Sequence, residues 1–118
     1  MSGDAAAEMK TRLRADLRVA MKHRRPLEAK VIRALVAAID NAEAPPIHTA
    51  QTTWTPHDFD SRAAEVERLL LSWSDVRNVI LADIQERERA AAELERLNEM
   101  DRAEALRAEA LVAARYLQ

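Results

Sequence analysis

An all-α fold, a small bundle of four to five helices with a long surface loop after the second, is predicted by three features of the sequence. One glycine, one Phe, one Tyr and two Trp in 118 residues leave a chain rich in Ala, Leu, Glu and Arg, the composition of helices that pack through aliphatic ridges. Apolar residues recur at three- and four-residue spacing over long stretches. Asp, Ser, Asn and Pro stand where those stretches begin or end. The length fits one domain, residues 1–118, with the loop at 44–60.

The first helix is expected over 4–24. Asp4 can cap it, Glu8 lies in its early turn, and Met9, Leu13, Leu17, Ala20 and Met21 form an apolar stripe. Arg14, Arg18, Lys22 and Arg25 follow at i, i+4, i+8 and i+11, away from much of that stripe. Such a row can hold phosphates, and it can equally be a solvated face balanced by acids on neighbouring helices. The formal net charge of −2 hides an asymmetry here. Between Met9 and Arg33, Lys10, Arg12, Arg14, Arg18, Lys22, Arg24, Arg25, Lys30 and Arg33 face only Asp16 and Glu28. His23 reads as a residue near the helix C-terminus that interacts with the dipole.

Pro26 ends the first helix near Arg24 and opens the second, which runs to Glu43 and is stopped by Ala44 before Pro45 and Pro46. At 100° per residue, Val31, Ile32, Leu35, Val36, Ala38, Ile39 and Ala42 share one arc, with Lys30, Arg33, Asp40 and Asn41 opposite. So wide an arc requires at least two packing partners, which makes this the central helix.

Ile47 to Phe59 lacks periodicity and reads as a surface loop. Thr55, Pro56 and Asp58 can open a short helix, and 61–71 reads as helical through Val66, Leu69 and Leu70. His48, His57, Asp58 and Asp60 have the side chains of a zinc site, but neither histidine has a ligand at helical i, i+4 spacing, and no metal is expected. Ser72 with Asp75 is a capping box for a helix over 73–97, continued by Val76, Ile80, Ile84, Ala91 and Leu94. Its other faces mix Arg77, Asp83, Glu86, Arg87, Arg89, Glu93 and Arg96, in which no pair of carboxylates stands out as general acid and base.

Asn98 can take the left-handed conformation, and Asp101 with Glu104 supplies a new cap for a last helix over 102–117. Met100, Leu106, Ala110, Ala113 and Leu117 form its narrow apolar face. With neither Gly nor Pro at the turn, a single helix over 73–117 is the alternative. There is no cysteine, no apolar leader and no run of about 18 apolar residues, so a cytoplasmic protein without disulfides or membrane spans is expected.

LRADLRVAMKHRR, VIRALVAAIDNAE and the stretch from LSWSDVRNVILADIQERERAA to ALVAARYL, in that order and spacing, resemble the GatB/YqeY family. The matching positions are Leu17 to Lys22; Arg33, Leu35, Ala38, Ile39, Asn41 and Glu43; Ser72, Ile84 and Arg87; and Tyr116 with Leu117. The resemblance covers most of the chain outside 44–71 and implies the family's helical N-terminal body without its smaller C-terminal tail domain. Relatives in that family include part of the B subunit of the glutamine-dependent aminoacyl-tRNA amidotransferase.

The resemblance therefore implies a non-catalytic helical accessory module that contacts tRNA or another RNA through Arg14, Arg18, Lys22 and Arg25. Arg33, Asn41, Glu43 and Arg87 are the family's polar positions, serving either ligand contact or a network that fixes the helices. A protein-interaction module, docking on a synthetase or a second copy, is the alternative. Carbon–nitrogen ligase activity with glutamine as amido donor is the family's label, but the chain has no Ser-cis-Ser-Lys pattern, no cysteine nucleophile and no phosphate loop. No cofactor is expected.

Overall fold

A computed structural model describes residues 4–45 and 68–118. Four helices, α1 (Ala5–Lys22), α2 (Pro26–Glu43), α3 (Trp73–Arg96) and α4 (Met100–Ala114), are followed by a 3-10 turn at Arg115–Leu117, and no strand occurs among the described residues. α1 and α2 form one hairpin and α3 and α4 a second. α2 touches all three other helices, as its wide arc requires, but so does α3. The centre is thus shared, with α1 and α4 flanking the α2–α3 pair.

The starts of these helices follow from their caps. The Asp4 carboxylate accepts from the backbone N–H groups of Ala6 at 3.1 Å and Ala7 at 3.3 Å, satisfying two donors that α1 cannot. Pro26 opens α2, where the missing N–H costs nothing. Ser72 and Asp75 close a reciprocal box at 3.1 Å and 3.0 Å at the start of α3.

α1 and α3 end in the same backbone motif. Arg25 N–H donates to Ala20 O and Arg24 N–H to Met21 O, with Arg24 at φ 56°. Glu99 N–H donates to Leu94 O and Asn98 N–H to Glu95 O, with Asn98 at φ 62°. Both are Schellman closures around a left-handed residue. The second separates α3 from α4, so the single helix over 73–117 does not form.

Met9, Leu13, Val31, Ile32, Leu35, Ile39, Val76 and Ile80 are buried in one core, with Ala113 and Tyr116 closing it from the C-terminal side. Leu35 and Ile39 are 0% exposed. Each such side chain contributes about 1.5–3 kcal/mol through removal from water.

Several expectations need correction. α4 starts at Met100, behind Glu99, and Asp101 lies in its first turn without capping it, because the Asn98 closure re-enters the helix directly. Residues 115–117 tighten into a 3-10 turn. Met21 and Met100, expected on apolar faces, are both 55% exposed. Arg68 to Leu71 is not helical but leads into the Ser72 cap, while 61–67 and the loop residues 46–60, with His48, His57, Asp58 and Asp60, lie outside the described residues.

Candidate nucleic-acid interface

α1 carries Arg14, Arg18 and Lys22 on one exposed flank. The helix rises 1.5 Å per residue, so their Cα atoms step along it by about 6 Å. None of the three forms an ion pair among the described residues. On the α3–α4 hairpin four arginines are neutralised locally: Arg87 by Asp83 and Glu109, Arg89 by Glu86, Arg96 by Glu93, and Arg107 by Glu88 and Glu95. Arg77 and Arg102 stand apart on α3 and α4 without such a partner among the described residues.

Arg25 does not continue the row. α1 stops at Lys22, the backbone reverses at Arg24, and Arg25 lies 3.9 Å from Glu28 in the first turn of α2. Arg33 of α2 occupies the neighbouring place instead. Its Nη2 donates to Met21 Sδ at 3.5 Å, and Met21, seven residues beyond Arg14, sits in the same helical row as Arg14 and Arg18. Sequence reasoning had grouped Arg33 with Asn41, Glu43 and Arg87, but these four separate. Arg33 and Asn41 are exposed, Glu43 is buried, and Arg87 is half-buried.

The basic flank is bounded at its N-terminal end by an ionic cluster built on the buried Lys10–Glu43 pair, with Asp40 and Arg68 on its exposed side. Lys10 Nζ reaches Glu43 at 2.5 Å and Asp40 at 2.7 Å, and Arg68 Nη1 reaches Glu43 at 2.8 Å. Leu69 N–H also donates to Glu43 O at 2.8 Å, so side chain and backbone of one residue hold the chain on both sides of 46–67. Burial works against the Lys10 charge, yet its hydrogen bonds to Asp40 and Glu43 prevail and lift the ammonium above its ordinary pKa. The hydrogen bond from Lys10 holds the Asp40 carboxyl below its ordinary range against partial burial, assisted by the charges of Lys10, Arg68 and Arg14. That last contribution ties the cluster to the exposed row.

On the other side of α1, Tyr116 is buried and its hydroxyl donates to Asp16 Oδ2 at 2.6 Å. The Arg12 guanidinium lies 4.7 Å from the ring centroid. Burial, then the hydrogen bond and charge of Asp16, push the phenol well above its ordinary value. This contact fastens the C-terminal turn to α1 and occupies Arg12 and Asp16.

A second network, Arg87 to Glu109 at 2.5 Å, Lys30 to Glu109 at 3.0 Å and Arg87 to Asp83 at 2.8 Å, joins α2, α3 and α4. Glu43 and Arg87 thus each form ion pairs that bridge helices.

Sequence reasoning counted Lys10 only as one base of the N-terminal stretch, without its burial or its partners, and did not single out Glu109. A signal existed: Glu43 continues the Leu35 and Ile39 row, Arg87 lies between Ile80, Ile84 and Ala91, and Glu109 lies between Leu106 and Ala113. A charge in an apolar row needs a partner from another helix.

Among the described residues no helix is long and apolar enough to cross a membrane. No family model matches the sequence, and no curated protein and no solved structure matches it.

Proposed function

We propose that this chain is a non-catalytic helical module that contacts RNA, tRNA among its candidates, through the exposed flank of α1. One observation carries the reading: Arg14, Arg18 and Lys22 share a flank of one helix and form no ion pair among the described residues, Arg14 feeling only the more distant charge of Asp40, while four arginines of the α3–α4 hairpin are paired with glutamates or aspartates. Unneutralised cations at fixed spacing release counterions from a phosphate backbone on contact, which is the main source of sequence-independent affinity. The likeness of the sequence to the GatB/YqeY pattern supports RNA as the polyanion. Catalysis forms no part of the proposal, and an amidotransferase role would belong to a partner.

A gel-mobility assay of tRNA at low salt tests it. Retention is expected, and Arg14→Glu with Arg18→Glu abolishes it while helix content by circular dichroism stays unchanged. Absence of retention, or retention indifferent to that reversal, rejects the reading.

A second reading, docking on a protein, is favoured by Leu97 and Met100, both more than half exposed on either side of the Asn98 turn. The alanine-rich face of α4 does not support it, because Ala103, Ala110 and Ala113 are already buried. Size-exclusion with light scattering distinguishes self-association through that tip: Leu97→Ser and Met100→Ser convert an oligomer to a monomer under this reading and change nothing otherwise.

A further inference from the structure

We infer that a second copy of this chain docks on the basic α1 flank through the start of α4, so that molecules associate head to tail by a salt-sensitive contact. The inference deepens the protein-docking reading of the Leu97 and Met100 tip by naming the face that the tip meets.

The chain exposes two surfaces of opposite charge, each with a methionine in it. On α1, Arg14 and Arg18 are exposed beside Met21, which is more than half exposed and receives Arg33 of α2 on its sulfur. At the start of α4, Glu99, Asp101 and Glu104 are exposed beside Met100, with Leu97 across the turn. Glu93 and Glu95 near that turn are taken by Arg96 and Arg107, whereas Glu99, Asp101 and Glu104 form no ion pair among the described residues. Arg102 lies about 100° round α4 from Asp101, in the row of Glu109 rather than of the acids. An acidic edge and a basic edge of this kind complement one another: opposite potentials set the orientation, and the methionines, adaptable in shape, supply a contact that excludes water.

Spacings along the two helices agree. Arg18 lies about 4.5 Å and Arg14 about 10.5 Å along α1 from Met21, and Glu104 lies about 6 Å along α4 from Met100. With Met100 of one copy on Met21 of the next, Glu104 comes level with Arg18. One copy cannot satisfy itself, because α1 and α4 do not touch, α2 and α3 lie between them, and the hydrogen-bonded closure at Asn98 fixes the direction in which α4 leaves α3. The contact is therefore intermolecular. It joins two different faces, so each copy keeps one face open for the next. RNA and a neighbouring copy call on the same cations and exclude each other on α1.

Sedimentation velocity of the nuclease-treated full chain tests this with two charge-reversed variants, Asp101→Lys with Glu104→Lys and Arg14→Glu with Arg18→Glu. The parent is expected to gain mass with concentration at low salt and to return to a monomer at high salt. Each variant alone is expected to be monomeric, because its two faces then carry the same sign. An equimolar mixture of the two assembles, because each supplies the face that the other needs. All four positions are exposed, and circular dichroism verifies that the variants fold. A parent that is monomeric at about 1 mM in low salt overturns the inference and leaves the tip to a different protein. Association that survives Arg14→Glu with Arg18→Glu overturns it too, with a tip-to-tip contact of two copies remaining. A mixture that stays monomeric also overturns it. The RNA-contact reading is scored apart from these outcomes: Asp101→Lys with Glu104→Lys leaves the α1 flank intact and retains tRNA whenever that reading holds.

Discussion

Lys10 on α1 and Glu43 on α2 meet at 2.5 Å with both side chains almost wholly removed from water, at 8% and 2% exposure. A pair of ions in such a place stabilises the fold only while both partners are present, because either alone is a desolvated charge. Lys10→Met leaves Glu43 with Arg68 as its remaining partner, so the loss is expected at the lower end of the range for broken buried pairs, about 3 kcal/mol. Lys10→Met combined with Glu43→Met restores much of it. Urea unfolding of the two single variants and the double variant measures the coupling, and additive losses contradict it.

Asp40 gives the acid side of the same cluster. Its carboxyl is held below the ordinary 3.8, so the folded state keeps it charged where the unfolded chain has begun to protonate. The corresponding stability is present above 3.8 and is lost as pH falls through the lower folded value. Asp40→Asn should flatten that acid limb in urea midpoints and leave the neutral region parallel to the parent.

Tyr116 is the one tyrosine in the chain, so tyrosinate absorbance reports on it alone. Its folded pKa lies above the ordinary 10.0, which means that the unfolded chain releases this proton first and stability falls as pH rises beyond 10.0. Absorbance of the phenolate is expected to appear only together with loss of helical circular dichroism. A titration near 10.0 with the helices intact contradicts the buried Tyr116 to Asp16 bond.

Arg24 holds φ 56° without being glycine, a conformation that costs an L-residue roughly 1–2 kcal/mol. Arg24→Gly relieves it, and after the greater chain entropy of glycine the gain should be about 0.5–1 kcal/mol. Asn98→Gly, starting from a residue that tolerates this region, gains less. Thermal unfolding of the two variants side by side checks the order.

The helices were legible because their signals are local. Asp4, Pro26 and the Ser72–Asp75 box begin helices where the sequence places them, and the Val31 to Ala42 arc is the face that α2 buries. What escaped depends on reversals and on partners distant in the chain. Arg24 carries no sequence sign of a left-handed residue, so projecting the α1 row onward to Arg25 overran the helix end. Lys10 is buried only because Asp40 and Glu43, 30 and 33 positions away, accept hydrogen bonds from its ammonium. Arg33 joins the basic flank only because α2 runs back along α1 and brings it to Met21. The site was therefore largely visible: three of its four cations follow from one helical repeat, and the fourth requires the hairpin.

Salt dependence of RNA binding tests the central claim most directly. If Arg14, Arg18, Lys22 and Arg33 each neutralise a phosphate, the logarithm of the association constant falls against the logarithm of salt with a slope of about −3 to −4, and Arg14→Ala makes it shallower by about 1. A slope near zero, or one that Arg14→Ala leaves unchanged, contradicts the assignment of this flank to RNA.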